Sequence, residues 1–304
     1  MQVSMSIPDV TDLPTVIETL SSWQEDNLPV QLHPGDIGWH SLRGPEATAA
    51  DLRVWSVDET ILAIGMFDCP HLLRLALSST VTGDKELAHV LGNDLIPSPH
   101  PGAVFSVGER FIEARGARAL NDYLAALGWS PGELWTPLRF DFNTLSTDLD
   151  ALLDELDLHV EEVRSDAVRD WLVVHRSGFH KTPYKGGELK EAIRRFKAMV
   201  SANLVESRHL VAYDSETIIG VVSVWSAGRG RPGLLEPLAI HPEHRGQGYG
   251  KQLVTAAMKH LEQMGASSGL VCTNTSNCNS IHAYVSAGFT ADRPVPDLVY
   301  SVAA

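Results

Sequence analysis

His244-Arg245-Gly246-Gln247-Gly248-Tyr249-Gly250-Lys251 follows an apolar stretch, Leu234 to Ile240, and precedes a helical pattern, Gln252 to Met264. This order predicts a strand, a glycine-rich turn and a helix. Glycine tolerates the left-handed backbone that such a turn needs, and it lets an anion approach the main chain. Successive N–H groups and a helix N-terminus supply partial positive charge. Arg245 and Lys251 add full charges. The stretch therefore predicts a cradle for a pyrophosphate. It lacks the Gly-Lys-Ser/Thr of a P-loop and the spacing of the dinucleotide Gly-x-Gly-x-x-Gly.

The spacing present is Arg-x-x-Gly-x-Gly, at Arg245, Gly248 and Gly250. Downstream lies Asn277-Cys278-Asn279-Ser280-Ile281-His282-Ala283-Tyr284-Val285-Ser286-Ala287-Gly288-Phe289. It reads as an Asn, a small residue, a Tyr seven positions after the Asn, then Gly-Phe. Upstream, Pro242 breaks the apolar strand. With these features in this order, the region from about Leu158 to Ala304 resembles the Gcn5-related N-acetyltransferases, the GNAT superfamily. The resemblance implies an α+β fold with a central, mostly antiparallel twisted sheet flanked by helices. One strand of that sheet splays from its neighbour to hold coenzyme A.

Composition sets outer bounds. The 304 residues include seven Trp and are 44% hydrophobic, enough for one large or two ordinary domains. No apolar run is long enough to span a membrane. The N-terminus does not read as a secretory signal. Cys69, Cys272 and Cys278 have no metal-ligand spacing and leave one unpaired, which suits a reducing cytosol. A cytoplasmic protein without a metal is the expectation. The net charge of −14 is uneven. Residues 1–150 hold 8 Lys+Arg and 21 Asp+Glu, a balance of −13. Such a surface repels polyanions, so nucleic acid is not expected as a partner. The acidity also fits a cationic amine acceptor, and ordinary solubility explains it equally well.

The chain carries a worn internal repeat. Leu52 to Gly65 and His209 to Val222 both read as two apolar strands joined by an acidic, Thr-containing turn. Leu72 to Leu77 matches Leu234 to Ile240, and Tyr123 to Trp129 echoes Tyr284 to Phe289. Where the second copy has its glycines, the first has Ser79-Thr80-Val81-Thr82-Gly83-Asp84-Lys85, and Asp84 would repel a phosphate. The expected organisation is a degenerate GNAT-like domain over 1–145, a linker over 146–157 and a catalytic domain over 158–304. Tyr123 would be the first-half counterpart of Tyr284. The second domain is expected to open with a strand, Leu158 to Val163. Helices near Asp166 to Arg176 and Leu189 to Val200 follow, joined by the loop Ser177 to Tyr184.

Acetyl transfer to an amine needs a held coenzyme, a polarised carbonyl, a base and an acid. Arg245, Gly246, Gln247, Gly248, Tyr249, Gly250 and Lys251 are the expected coenzyme cradle. The resemblance adds main-chain groups of Leu238, Ala239 and Ile240 for the pantetheine arm and the acetyl carbonyl. Pro237 cannot donate a ladder hydrogen bond, which fits a disrupted pairing there. Glu236 is the candidate base or water-positioning group. His241 has a suitable intrinsic pKa but lies toward the pyrophosphate. Tyr284 is the candidate acid, because a phenol stays protonated at neutral pH and can give its proton to a thiolate. Asn277 and Ser280 would bind coenzyme, or Asn277 would cap the helix. Phe179, His180 and Tyr184 are acceptor-side candidates, because the family's helix-loop-helix lies over the acceptor cleft. The resemblance implies an acetyl-CoA-dependent N-acetyltransferase acting on a small-molecule or peptide amine, as a monomer or homodimer. Alternatives are an acyl-CoA-binding regulatory module without turnover, another acyl-CoA, or a non-amine acceptor.

Overall fold

The computed structural model describes residues 2–143, 149, 153 and 158–301. The linker expected over 146–157 therefore lies, apart from Leu149 and Leu153, outside the described residues. The chain packs into two compact units. One comprises Met1–His33, Pro45–Trp135 and Pro294–Ala304; the other comprises Pro34–Gly44 and Thr136–Arg293. Each is discontinuous, unlike the contiguous 1–145 and 158–304 read from the sequence. The physical reason is that a strand or helix joins whichever core buries its apolar face, and a linear reading cannot see that choice.

The first unit contains β1 (Ser4–Ser6), α1 (Leu13–Ser22), α3 (Pro45–Ala50), β2 (Leu52–Val57), β3 (Thr60–Cys69), β4 (Leu72–Leu77), α4 (Lys85–Asp94), β5 (Arg110–Glu113) and α5 (Arg118–Ala126). The first half of β6 (Ser130–Asp141) and the late strand β13 (Val295–Tyr300) complete it. Its strand order is β1-β2-β3-β4-β5-β13-β6. β13 therefore pairs antiparallel with both β5 and β6, at Val299↔Phe111 and Val299↔Ser130. The core gathers Trp55, Leu73, Phe105, Ile112, Leu124 and Trp129.

The second unit contains α2 (Pro34–His40), the second half of β6, β7 (His159–Glu162), α6 (Val168–Phe179) and α7 (Glu188–Ala202). Then come β8 (Ser207–Asp214), β9 (Thr217–Trp225), β10 (Gly233–Ile240), α8 (Tyr249–Gln263), β11 (Ser268–Asn274), α9 (Cys278–Ser286) and β12 (Thr290–Ala291). The strand order is β6-β11-β10-β9-β8-β7. Among the described pairings of both units, only β4–β5 and β10–β11 are parallel. The core gathers Phe140, Leu235, Leu253, Met258, Tyr284 and Phe289.

The repeat holds element by element. Both hairpins turn through a residue with positive φ, Asp58 at 52° and Ser215 at 57°. Both first strands slip register just before the turn, at Trp55/Ser56 and at Ala212/Tyr213. A strand, a short turn, a helix, a strand and a helix follow in each.

Two histidines in the second unit give it a pH-dependent stability. His209 is buried against Phe196 and Trp225, with Ser223 Oγ 2.7 Å from its Nδ1. Burial lowers its pKa to about 4. His175 stacks on Trp171 and is also held at about 4, by burial and by the neighbouring His180. A lowered native pKa means that the native state resists protonation. The stability contribution is complete above the ordinary value near 6.5 and is lost as pH falls toward 4. Moving from pH 7.5 to pH 5 should therefore cost roughly 2 kcal/mol per histidine. Denaturant midpoints at the two pH values check this, and equal midpoints would refute it.

Candidate active site

β10 leaves its neighbours at the point where the chemistry is expected. It pairs with β11 only at Gly233↔Gly269 and Leu234↔Leu270. Beyond Leu234 no described pairing joins the two strands, so β10 splays from β11 over Leu235 to Ile240. On its other edge the register with β9 slips between Leu235 and Leu238. Glu236 and Pro237 form that bulge, as a residue without an N–H favours. Leu238, Ala239 and Ile240 then pair with Val222, Val221 and Gly220.

The carbonyl of Glu236, which lies in the bulge, accepts a hydrogen bond from Trp225 Nε1 at 2.6 Å. The Trp225 indole is in turn clamped by α2. A Cβ on Gly35 would lie 2.5 Å from Trp225 Cβ, and one on Gly38 would lie 2.4 Å from its Cζ3. Only glycines let the α2 backbone ride so close to the ring. Sequence reading missed Trp225, Gly35 and Gly38. The one available signal was two glycines three apart, which share a helix face.

The expected acid lies within electrostatic range of the expected base. Tyr284 is 6% exposed, on α9, with its ring 5.5 Å from that of Phe289. Burial pushes its phenol up, and the Glu236 carboxylate pushes it further. The phenol is thus protonated throughout the neutral range and close enough to Glu236 to feel its charge.

The cradle is open at a helix N-terminus. α8 begins at Tyr249, three residues earlier than the sequence pattern indicates, so Tyr249, Gly250 and Lys251 form its first turn. Its N-cap is Gly248, with φ of 86° and no side-chain cap. Gly246 has φ of 78°. A Cβ on either glycine would meet nothing within 4 Å. The helix thus starts beside open space and without a side-chain cap, which fits an anionic ligand. Gln247 and Lys251 are exposed beside them.

Four of the expected coenzyme residues have other partners. Arg245 Nε donates to Ile240 O at 3.1 Å, and its Nη2 donates to Gly178 O at 3.3 Å. Its guanidinium ties the loop to β10 and to the end of α6. Tyr249 Oη donates to Asp214 Oδ2 at 3.2 Å. Asn277 Oδ1 accepts from the N–H of Ser280 at 3.3 Å, so the cap is the role shown for this pair. His241 lies 3.9 Å from the Glu243 carboxylate through Nδ1, on the cleft described next.

The acceptor-side candidates do come together. Phe179, His180 and Tyr184 line a cleft of about 710 Å³ with Arg176, His241 and Arg245. Phe179 ends α6 rather than lying in a loop, and its ring is 4.9 Å from His175. The Arg176 guanidinium stacks 4.5 Å over Tyr184. Burial raises the Tyr184 phenol, and Arg176 opposes that shift.

The model of the acetyltransferase (GNAT) family matches residues 167–289. Residues 167–289 belong to the GNAT family. The general chemistry of this family is acyl transfer from acyl-CoA. A tandem GNAT protein from the clavulanic acid biosynthesis pathway is similar over 98% of both chains, at 13% identity and a TM-score of 0.60. A GNAT acetyltransferase from Colwellia psychrerythraea is similar over 99% of this chain and all of that one, at 11% identity and a TM-score of 0.59. A GCN5-related N-acetyltransferase from Sphaerobacter thermophilus covers 98% of this chain with 95% of its own, at 11% identity and a TM-score of 0.53. No curated protein matches the chain in sequence. At these identities the likeness is one of fold, and it extends the GNAT layout over both halves.

The first unit repeats this element order, and the residues at the corresponding positions differ. Asp84 caps α4 and accepts from the N–H groups of Glu86 and Leu87 at 2.9 and 3.0 Å. It therefore occupies the donors that a phosphate would need, in addition to repelling one. Arg74 stands alone where β10 has the Glu236–Pro237 bulge. It pairs with buried Glu113 at 3.3 Å, and β4 stays zipped to β5 through that residue. Burial would raise Glu113, but Arg74 and Arg115 outweigh it and hold its carboxyl low.

The Tyr123 correspondence is corrected. Trp129 N–H bonds to Leu124 O as Phe289 N–H bonds to Tyr284 O, so the counterpart of Tyr284 is buried Leu124. Tyr123 instead donates to Asn93 Oδ1 at 3.0 Å on the outer side.

Proposed function

We propose that the second unit transfers an acetyl group from acetyl-CoA to a primary amine of a small molecule or peptide, by direct attack in a ternary complex. The observation that carries this reading is the coupling of Glu236, in the β10 bulge, with buried Tyr284, where β10 parts from β11. Acetyl-CoA supplies a thioester acyl group. Tyr249, Gly250 and Lys251 would hold its pyrophosphate through their main-chain N–H groups, and the free edge of Leu238 to Ile240 would hold its arm. Arg245 shapes this cradle by fixing the ends of β10 and α6. An alkylamine near pKa ~10 is neutral in only on the order of one molecule in a thousand at pH 7. Glu236, or a water that it orients, collects the amine proton. Tyr284 gives its own proton to the departing thiolate. Main-chain donors of β10 face the oxygen on which charge develops.

Calorimetric titration with acetyl-CoA, followed by thiol release with amine acceptors, tests this reading. One site per chain and thiol release are expected. The first unit should stay silent, because Asp84, Arg74 and Leu124 replace the open cradle, the carboxylate and the phenol. Two sites would overturn the account of the first unit. Binding without any thiol release would favour a regulatory acyl-CoA sensor, and no binding would refute both.

A further inference from the structure

The sign of the charge around the acceptor cleft is opposite to that of the chain. The protein carries −14 overall. The cleft under the α6–α7 loop is lined by Arg176, Lys181 and Arg245 with His180 and His241, and no carboxylate is among its described lining residues. Two acids stand nearby. Glu188 reaches Arg176 at 3.9 Å, and the largely exposed Glu243 reaches His241 at 3.9 Å. The partners shown for Arg245 are neutral carbonyls, which leave its charge uncompensated. Lys181 is exposed at the rim.

The cleft also adjoins the catalytic strand. A Cβ on Gly178 would lie 2.6 Å from Ala239 Cβ, so this wall of the cleft rests on β10 three residues beyond Glu236. At about 3.3 Å per residue, an anion held there lies on the order of 10 Å from an amine at Glu236. Aromatic and aliphatic faces from Phe179, Tyr184 and Val173 line the cleft itself.

We propose that this cleft binds an anionic group of the acceptor, so that the substrate is a primary amine that also carries a carboxylate or phosphate, as an amino acid or short peptide does. The proposal rests on the acyl-transfer reading above. The same positive cleft could attract a phosphate of the coenzyme, and the test separates the two sources.

The probes are 6-aminohexanoate, whose charged ends are separated on this scale, and hexylamine, which lacks the carboxylate. Each is titrated calorimetrically into the full chain saturated with coenzyme A. 6-Aminohexanoate should bind about tenfold more tightly than hexylamine. Lys181→Glu places a like charge at the rim without removing a packed side chain. It should weaken 6-aminohexanoate about tenfold and leave coenzyme A affinity unchanged. Arg176→Gln should act in the same direction. Equal binding of the two probes, or binding of neither, overturns the proposal. Loss of coenzyme A affinity in Lys181→Glu also overturns it, because the anion would then be the coenzyme's own. A wild-type chain that binds no acetyl-CoA in a separate titration defeats the acyl-transfer reading itself, and the proposal falls with it.

Discussion

Tyr284→Phe should lower turnover by on the order of 100-fold while acetyl-CoA binds as before. The expectation follows from what the substitution removes. The ring at position 284 is buried and packs on Phe289, and phenylalanine keeps that packing. Only the hydroxyl is lost. Burial and Glu236 both hold that hydroxyl in its protonated form. A phenol that stays protonated can donate to the sulfur as negative charge develops there, although its raised pKa makes it a weaker acid than an exposed tyrosine. Without it the thiolate departs against solvent alone. Three readings separate this role from packing: kcat by thiol release, acetyl-CoA affinity by calorimetry, and thermal midpoint. A lower kcat with the other two unchanged is the expected pattern. A variant with full turnover would remove Tyr284 from the mechanism.

Gly248→Val should weaken acetyl-CoA binding by roughly 100-fold or more, through two separate costs. Gly248 has φ of 86° at the N-cap of α8. A branched side chain is strained in that left-handed conformation, so the turn shifts and the first N–H groups lose their aim. The added Cβ would meet no atom of the chain within 4 Å. The space that it enters is therefore the mouth of the cradle, where an anion would come closest. Gly248→Ala carries less strain and less bulk and should give an intermediate loss. Calorimetry reads the effect, and circular dichroism checks that α8 persists. Wild-type affinity in the valine variant would refute the cradle assignment.

Much of the second unit's local structure was legible in the sequence because its signals are local. Arg245, Gly248 and Gly250 sit within one turn, and left-handed glycines before a helix constrain the backbone wherever the segment lies. The spacing from Asn277 to Gly288 likewise specifies one capped helix and its stop, with the Asn277 cap and Gly288 at φ of 104°. The repeat was legible for the same reason, since the Asp58 and Ser215 turns depend on their own few residues. The difference at the first copy's turn was also legible, because Asp84 caps the helix there where the second copy has Gly248.

Other features depended on partners far away in the chain. The Tyr123 alignment slipped by one residue because helical sequence echoes do not show which face is buried. Hydrogen bonding around Gly128 and Gly288 places Leu124, not Tyr123, opposite Tyr284. Arg245 read as a phosphate ligand by charge, and the structure adds a tethering role, because its Nε and Nη2 donate to the carbonyls of Ile240 and Gly178. The −14 net charge is a property of the whole chain and does not show that one cleft gathers Arg176, Lys181 and Arg245 from two separate segments.

The sequence alone determined most elements of each copy and where left-handed glycines precede a helix, because glycine conformations, helix caps and turn geometry are set by neighbours in the chain. Only the tertiary structure decided that α2 clamps Trp225 beneath Glu236, that β13 completes the first unit, and that Tyr284 is buried within reach of the Glu236 charge. Those outcomes depend on burial and on electrostatic interaction between residues distant in sequence, and both are properties of the packed core.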